Sequence, residues 1–271
     1  MSRRAVLKAL LSVGIGATSG AAGYGYLYER HRVDVTRTLV PVPNLPDGLA
    51  GLRIGVLTDI HLSPTVPAAL VQHAVDLAQR EAPDVIFLLG DFVSWKDQTF
   101  LEPVAEILER LTAQHGVFAV PGNHDHEAGL ARAFTARHIT VLRDARSTIE
   151  VNHEAIDVTG LSFWTRDQQS LSRILAGGRG TPFLLAHDPR RVREARALNV
   201  PLVVSGHTHG GQVVLPAFGP VFTARRFPVA AGLLQSHGTS LFVSRGIGTV
   251  YVPVRINCPP EVALLTLKRA A

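Results

Sequence analysis

From Val33 onward the chain alternates short, unbroken apolar runs with amphipathic stretches. The segments "LRIGVL", "DVIFLLG", "GVFAV", "TPFLLA" and "VPLVVSG" are apolar at successive positions rather than at every second one, the pattern of strands buried on both faces. Between them Leu101, Val104, Ala105, Leu108 and Leu111 recur at helical spacing, and Leu70, Ala74, Leu77 and Ala78 do so in part. Pro83 and Gly116 stop these helices ahead of the next strand. Runs of this kind in alternation predict an α/β fold. The final segment, "SLFVSRGIGTVYVPVRINCPPEVALLTL", predicts further strands with turns at Gly246 and Pro259-Pro260, forming a second sheet packed on the first.

Each apolar run ends in the same kind of residue. The five endings are Asp59 and His61, Gly90-Asp91, Asn123-His124-Asp125, His187, and finally His207 and His209 in "VVSGHTHGGQ". Positions i and i+2 of a strand share a face, so His207 and His209 can aim at one volume. In open α/β sheets ligands gather beyond the carboxyl ends of the strands, which is where all these polar residues fall.

Composition narrows the chemistry. With 271 residues, 46% hydrophobic and 18% charged, the chain can bury a large core. The formal charge is +5, but Arg3, Arg4 and Lys8 supply three of those charges, leaving the body close to neutral. No basic face is expected, and no nucleic-acid partner. The single cysteine, Cys258, excludes an intramolecular disulfide and a cysteine-based metal site.

The candidate ligands are therefore Asp59, His61, Asp91, Asn123, His187, His207 and His209, all oxygen or imidazole donors suited to Mn, Fe or Zn. Seven donors are too many for one tetrahedral ion and fit two ions sharing a bridging carboxylate. Such a pair can clamp a phosphate and produce a hydroxide nucleophile near neutral pH. A metal that only staples the fold would need four closed ligands and no open position. Arg225, Arg226 and Arg245 are candidate anion contacts, Arg245 because the neighbouring glycines allow close backbone approach. Phe163 and Trp164 could shape the cleft edge, His126 could line it, and Asp188 could support its neighbour His187. His73, His115, His138 and His153 lack a partner motif and read as solvated; His31 and His237 lack context.

The first 30 residues read as a separate segment. Ser2 to Lys8, "SRRAVLK", precedes an uncharged run from Ala9 to Tyr28, the layout of a targeting segment or membrane anchor. The run could just span a bilayer, and "SGAAG", Ser19 to Gly23, could instead be a cleavage region. Residues 5–28 could thus associate with a membrane. The string resembles the twin-arginine export signal, which implies the twin-arginine export machinery as a partner and a location across the bacterial inner membrane, in the periplasm or cell envelope.

The blocks Asp59-Ile60-His61, Gly90-Asp91, Gly122-Asn123-His124-Asp125, His187 and Gly206-His207-Thr208-His209 together resemble the calcineurin-like metallophosphoesterase family. The "GGQ" after His209, the leader and the "SRGIGT…PVRINCPPE" tail are similar to its exported or membrane-associated bacterial branch. The resemblance implies two mixed sheets flanked by helices, a four-layer α/β/β/α sandwich, with residues 31–271 as the catalytic domain. It implies two divalent ions: one held by Asp59, His61 and His209, the other by Asn123, His187 and His207, with Asp91 bridging. His124 would contact phosphate or protonate the leaving oxygen, oriented by Asp125, and the glycines would leave room for metal, water and phosphate. The implied activity is hydrolysis of phosphoester or phosphoanhydride bonds, on a phosphorylated small molecule or a lipid-linked substrate such as UDP-2,3-diacylglucosamine. The alternative is a non-catalytic metal-binding scaffold of the same fold.

Overall fold

The computed structural model describes residue 16 and residues 19–270 save 222, 224 and 225. The string Ser2 to Lys8 and Arg225 lie outside the described residues. Residues 19–27 form a helix, α1.

The first sheet contains β1 (Asp34–Val42), β2 (Arg53–Leu57), β3 (Val85–Leu88), β4 (Val117–Ala119), β5 (Ile139–Val141) and β14 (Glu261–Arg269), in the order β1-β14-β2-β3-β4-β5. Strands β2 to β5 run parallel, and β14 is antiparallel to β2. The second sheet contains β6 (Ala145–Val151), β7 (Glu154–Leu161), β8 (Thr181–Ala186), β9 (Leu202–Ser205), β12 (Gly232–Ser236) and β13 (Thr239–Val243), in the order β12-β13-β9-β8-β7-β6. Its central strands β7, β8, β9 and β13 are parallel. A small hairpin, β10 (Val214–Leu215) with β11 (Gly219–Pro220), lies between β9 and β12 in sequence.

The unbroken apolar runs are explained by what lies on either face. In β3, Val85 and Phe87 enter the core between the sheets, while Ile86 and Leu88 pack against α2 (Ala68–Arg80), α3 (Leu101–Leu108) and α4 (Glu127–Thr135). In β8, Phe183 and Leu185 face the inter-sheet core, and Leu184 and Ala186 face the layer of α5 (Gln168–Leu175) and α6 (Val192–Ala197). The result is the expected four-layer order of helices, sheet, sheet and helices.

Two expectations are corrected. The five apolar runs do not share one sheet: β2, β3 and β4 belong to the first, β8 and β9 to the second. The last segment divides, with β13 joining β9 in the second sheet and β14 returning to the first between β1 and β2. Both are apolar on both faces, so hydrophobic pattern alone could not sort them. The segment ahead of residue 30 touches the packed body. Arg255 N–H donates to the Gly25 carbonyl at 3.3 Å, and the buried Glu29 side chain accepts from Cys258 N–H at 2.6 Å.

His153 and His237 occupy tight hairpin loops, with φ of 66° and 51°. Each pairs with one further left-handed residue, Asn152 and Gly238, between strands in direct register. These are type I′ turns. His73 and His138 are exposed, and His115 is half-buried.

Phe87 is fully buried between the sheets, its ring edge-on to Phe118 at 6.4 Å. Phe87→Ala should cost about 3–5 kcal/mol of stability. Urea unfolding should show a lower midpoint at unchanged slope; an unmoved midpoint would contradict this packing.

Candidate metal centre

Asp59 and His61 follow β2, Asp91 follows β3, and Asn123 to Asp125 follow β4; His187 follows β8, and His207 and His209 follow β9. All emerge from the carboxyl ends of strands, and the two sheets bring them to one place. Asp59, His61, Asp91, His207 and His209 have left-handed backbones, with φ of 50°, 51°, 54°, 73° and 51°. Such conformations are unfavourable for residues with a Cβ and persist where surrounding structure over-determines them. Here the surroundings do so: Asp59 N–H donates to the Gly90 carbonyl and His61 N–H to the Asp91 carbonyl, each at 2.9 Å.

Two clusters of donor atoms form. In the first, His209 Nε2 lies 3.3 Å from Asp59 Oδ1 and 3.2 Å from His61 Nε2. In the second, His187 Nε2 lies 3.2 Å from Asp91 Oδ2 and 3.1 Å from His207 Nδ1. Asp91 Oδ2 also lies 3.5 Å from His61 Nε2, so this one oxygen faces both clusters. Its partner oxygen, Oδ1, accepts from His124 N–H at 2.8 Å. Asn123 Oδ1 is buried with no hydrogen-bond partner.

The outer nitrogens fix which atoms point inward. His187 Nδ1 meets the Leu89 carbonyl at 2.5 Å and must donate to it, leaving Nε2 toward Asp91. His61 Nδ1 is paired with Ser94 Oγ at 3.3 Å, leaving its Nε2 inward. Asp59 accepts from His207 N–H at 2.9 Å and from Thr58 Oγ1 at 2.8 Å.

The electrostatics describe a centre that wants positive charge. Burial pushes Asp59 up to about 6 in spite of nearby His187. Burial would raise Asp91 too, but the charge and hydrogen bond of His187, with His61 and His124, hold it well below the usual carboxylate range. Burial would lower His187, yet Asp91 and Asp59 outweigh it and push the imidazole up to about 10. Burial lowers His61 to about 3, His207 to about 4 and His209 well below its ordinary value. One imidazolium thus offsets two buried carboxylates. Convergent unprotonated nitrogens, two acid groups and an orphaned amide oxygen fit a pair of divalent cations better than they fit one another. The donor atoms of Asp59, His61 and His209 lie within 4.8 Å of one another, as do those of Asp91, His187 and His207.

His124 sits beside the centre, its ring edge-on to His61 at 4.9 Å. Its Nδ1 accepts from Trp95 N–H at 3.0 Å, so the neutral ring carries its proton on Nε2. Asp125 does not bond the His124 ring. Its carboxylate accepts from Asp91 N–H at 2.8 Å, Phe92 N–H at 2.9 Å and Gly122 N–H at 2.8 Å, and so ties the loops after β3 and β4 together. The glycines also act differently from expectation. A Cβ at Gly206 would strike Thr58 and the Asp59 carboxylate, and one at Gly122 would strike Asp91. Their absent side chains admit backbone against ligand rather than opening space for substrate.

Other candidates separate cleanly. Arg245 is held by ion pairs to Glu261 at 3.5 Å and Asp34 at 3.9 Å. Arg226 is exposed and lines a recess beside His207 and His209. His126 Nδ1 accepts from Gly129 N–H and caps α4. Asp188 pairs with Arg190 at 2.7 Å, and the Phe163 ring lies 5.3 Å from that of His207.

Arg255 is a supporting residue that the sequence did not single out. It is fully buried and donates to the carbonyls of Arg245, Gly246, Gly248 and Cys258. That holds the segment in which Ile247 N–H bonds the Thr58 carbonyl at 3.1 Å and Gly248 N–H bonds the Asp59 carbonyl at 2.7 Å. Its only sequence signal was an arginine in an otherwise apolar tail.

The calcineurin-like phosphoesterase profile matches residues 52–211. The chain is 31% identical to "Uncharacterized metallophosphoesterase YkuE" of Bacillus subtilis over 282 residues, covering 99% of this chain and 98% of that protein. It is 28% identical to "Phosphodiesterase YaeI" of Escherichia coli, covering 98% and 99% of the two chains. A "Transmembrane protein with metallophosphoesterase domain" of Danio rerio is 30% identical over 93% of this chain and 61% of that one. Among solved structures, a 5'-nucleotidase precursor from Thermus thermophilus shares the fold at a TM-score of 0.51 and 14% identity, covering 79% of this chain and 54% of the other. Fold and site thus define a metal-dependent phosphoric ester hydrolase, and the chain belongs to the calcineurin-like phosphoesterase family.

Because His187 is protonated near neutrality and must surrender that proton to ligate, metal uptake at pH 7 should release about one proton per chain from this residue. Apparent affinity should rise with pH up to about 10, where free His187 loses its proton unaided, and fall in acid. Calorimetry in buffers of different ionisation enthalpy measures the release; binding that exchanges no protons would contradict the assignment.

Proposed function

We propose that this chain hydrolyses phosphoester or phosphoanhydride bonds with two divalent ions, as a phosphodiesterase or phosphatase. The single observation that carries the reading is the position of Asp91 Oδ2, 3.2 Å from His187 and 3.5 Å from His61, between two clusters of metal-type donors. Asp59, His61 and His209 would hold one ion, and Asn123, His187 and His207 the other, with Asp91 shared. When bound, such a pair neutralises phosphate charge and acidifies water enough to supply a nucleophile near neutral pH.

The remaining work falls to the chain. His124 presents Nε2–H, the geometry of a donor to a phosphoryl or departing oxygen, while the Trp95 amide holds the tautomer. Asp125 is a positioning residue: by binding three backbone amides it sets the backbone that carries Asp91, Asn123 and His124. Arg255 does the same for Asp59 from the opposite side.

His124→Ala should lower kcat on bis(p-nitrophenyl) phosphate by about 10²–10⁴ while metal content is unchanged. Chelation should abolish turnover. Activity indifferent to both would refute the hydrolase reading.

The finer reading is that the substrate is a lipid-linked or cell-envelope phosphate, such as UDP-2,3-diacylglucosamine, met outside the inner membrane after twin-arginine export. Support comes from the "SRRAVLK" leader, the uncharged run to Tyr28 and relatives named as transmembrane proteins. No helix among the described residues is long and apolar enough to cross a membrane. Residues 31–271 would form the catalytic domain, with Gly25 to Glu29 as its docking strap. Leader removal, where it occurs, would fall before Gly25, within or ahead of Ser19 to Gly23, because Gly25 and Glu29 both bond the body, at Arg255 and Cys258. Turnover of lipid diphosphates should exceed that of nucleotides and phosphoproteins; a clear preference for phosphoproteins would overturn the lipid reading.

A further inference from the structure

The segment Val250–Val252 stands as a ridge with a recess on each side. The first recess, about 170 Å³, opens onto His207 and His209 and is walled by Phe227, with the exposed Arg226 also lining it. The Phe227 ring lies edge-on to His207 at 5.4 Å, so this wall is continuous with the second donor cluster. The second recess, about 280 Å³, is lined by Trp95, Pro64 and Pro253 together with Ser63, Thr65 and Thr249. The Trp95 ring lies 4.7 Å from His124 and 5.4 Å from Tyr251. Trp95 and Tyr251 are 64% and 80% exposed, with left-handed backbones at φ 54° and 62°. The two rings touch at the mouth of the second recess and offer it an apolar edge.

A phosphorus atom over the donor clusters therefore has organic space on two sides, and only one side adjoins His124. On the hydrolase reading above, we propose that the site is built for phosphodiesters of unlike substituents. The leaving alcohol occupies the recess beside Trp95, the ring that adjoins His124. The retained substituent is apolar and occupies the Phe227 recess, with the Tyr251 ridge between them. Water adds to phosphorus, the bond to the leaving oxygen breaks, that oxygen receives the His124 proton, and the products are one alcohol and one monoester. A monoester leaves the Phe227 recess unfilled.

Two probes with one leaving group test this: p-nitrophenyl phenyl phosphate and p-nitrophenyl phosphate, on metal-loaded protein. The diester should be preferred in kcat/KM by about tenfold or more, and Phe227→Ala should erase most of that preference through KM, with kcat changing less than about threefold and metal content held. Tyr251→Ala, on an exposed ridge, should reduce the same preference. A binding measurement stands apart from turnover. In a Trp164→Phe chain Trp95 is the sole tryptophan, and bis(p-nitrobenzyl)phosphinate, which carries a ring on each side of phosphorus and has no ester bond to cleave, should quench it. Equal turnover of both esters, equal losses on both in Phe227→Ala, or no quenching would overturn the proposal. Quenching without hydrolysis of either ester would support the divided cleft and count against the hydrolase reading instead.

Discussion

The fold is organised around the Asp91 carboxylate. One oxygen accepts the His124 amide from the loop after β4, and the other faces His61 from β2 and His187 from β8. This single side chain touches three strand ends across two sheets. It is buried beside a second carboxylate, Asp59, with His187 as the one strongly raised imidazole in the centre. A buried acid pair so lightly compensated would be costly in a protein that held no cation there.

Much of the surrounding architecture follows from that demand. Five parallel strands of the two sheets, β2, β3, β4, β8 and β9, end at the same place, and each contributes a donor. Five donors sit in left-handed backbone, a cost of about 1–3 kcal/mol apiece that the remaining hydrogen bonds must hold in place. Those bonds come from unlike sources: the Asp125 carboxylate beneath the loops after β3 and β4, the Gly248 amide on the Asp59 carbonyl, and Arg255 behind it. Gly122 and Gly206 let backbone pass within contact of the acid groups. The chemistry is thus set by a rigid frame, while the exposed rings of Trp95 and Tyr251 lie at its open edge.

The donors were legible in the sequence because each ends an apolar run, and strand ends are where such folds place ligands. The layering was legible in outline for the same reason. Strand partners were not. Val85 to Leu88 and Phe183 to Ala186 are equally apolar, and a residue buried on both faces carries no mark of which sheet it joins. The supporting groups were hidden for a different reason. Arg255 has no motif around it, and its guanidinium proves to lie among four backbone carbonyls; Asp125 reads as a partner for its neighbour His124 until its oxygens are seen on amides. Backbone hydrogen bonding by side chains leaves no spacing to read. Arg245, attractive for its glycine neighbours, is held by Glu261 and Asp34, brought to it by β14 and β1.

The most direct measurement is the anomalous difference density of a crystal grown with manganese, for wild type and Asp91→Asn. The account predicts two peaks in the wild-type protein, one among Asp59, His61 and His209 and one among His187, His207 and Asn123, with Asp91 touching both. Asp91→Asn should weaken both peaks. A single peak, or two that survive the substitution at full occupancy, would contradict the shared carboxylate on which the centre depends.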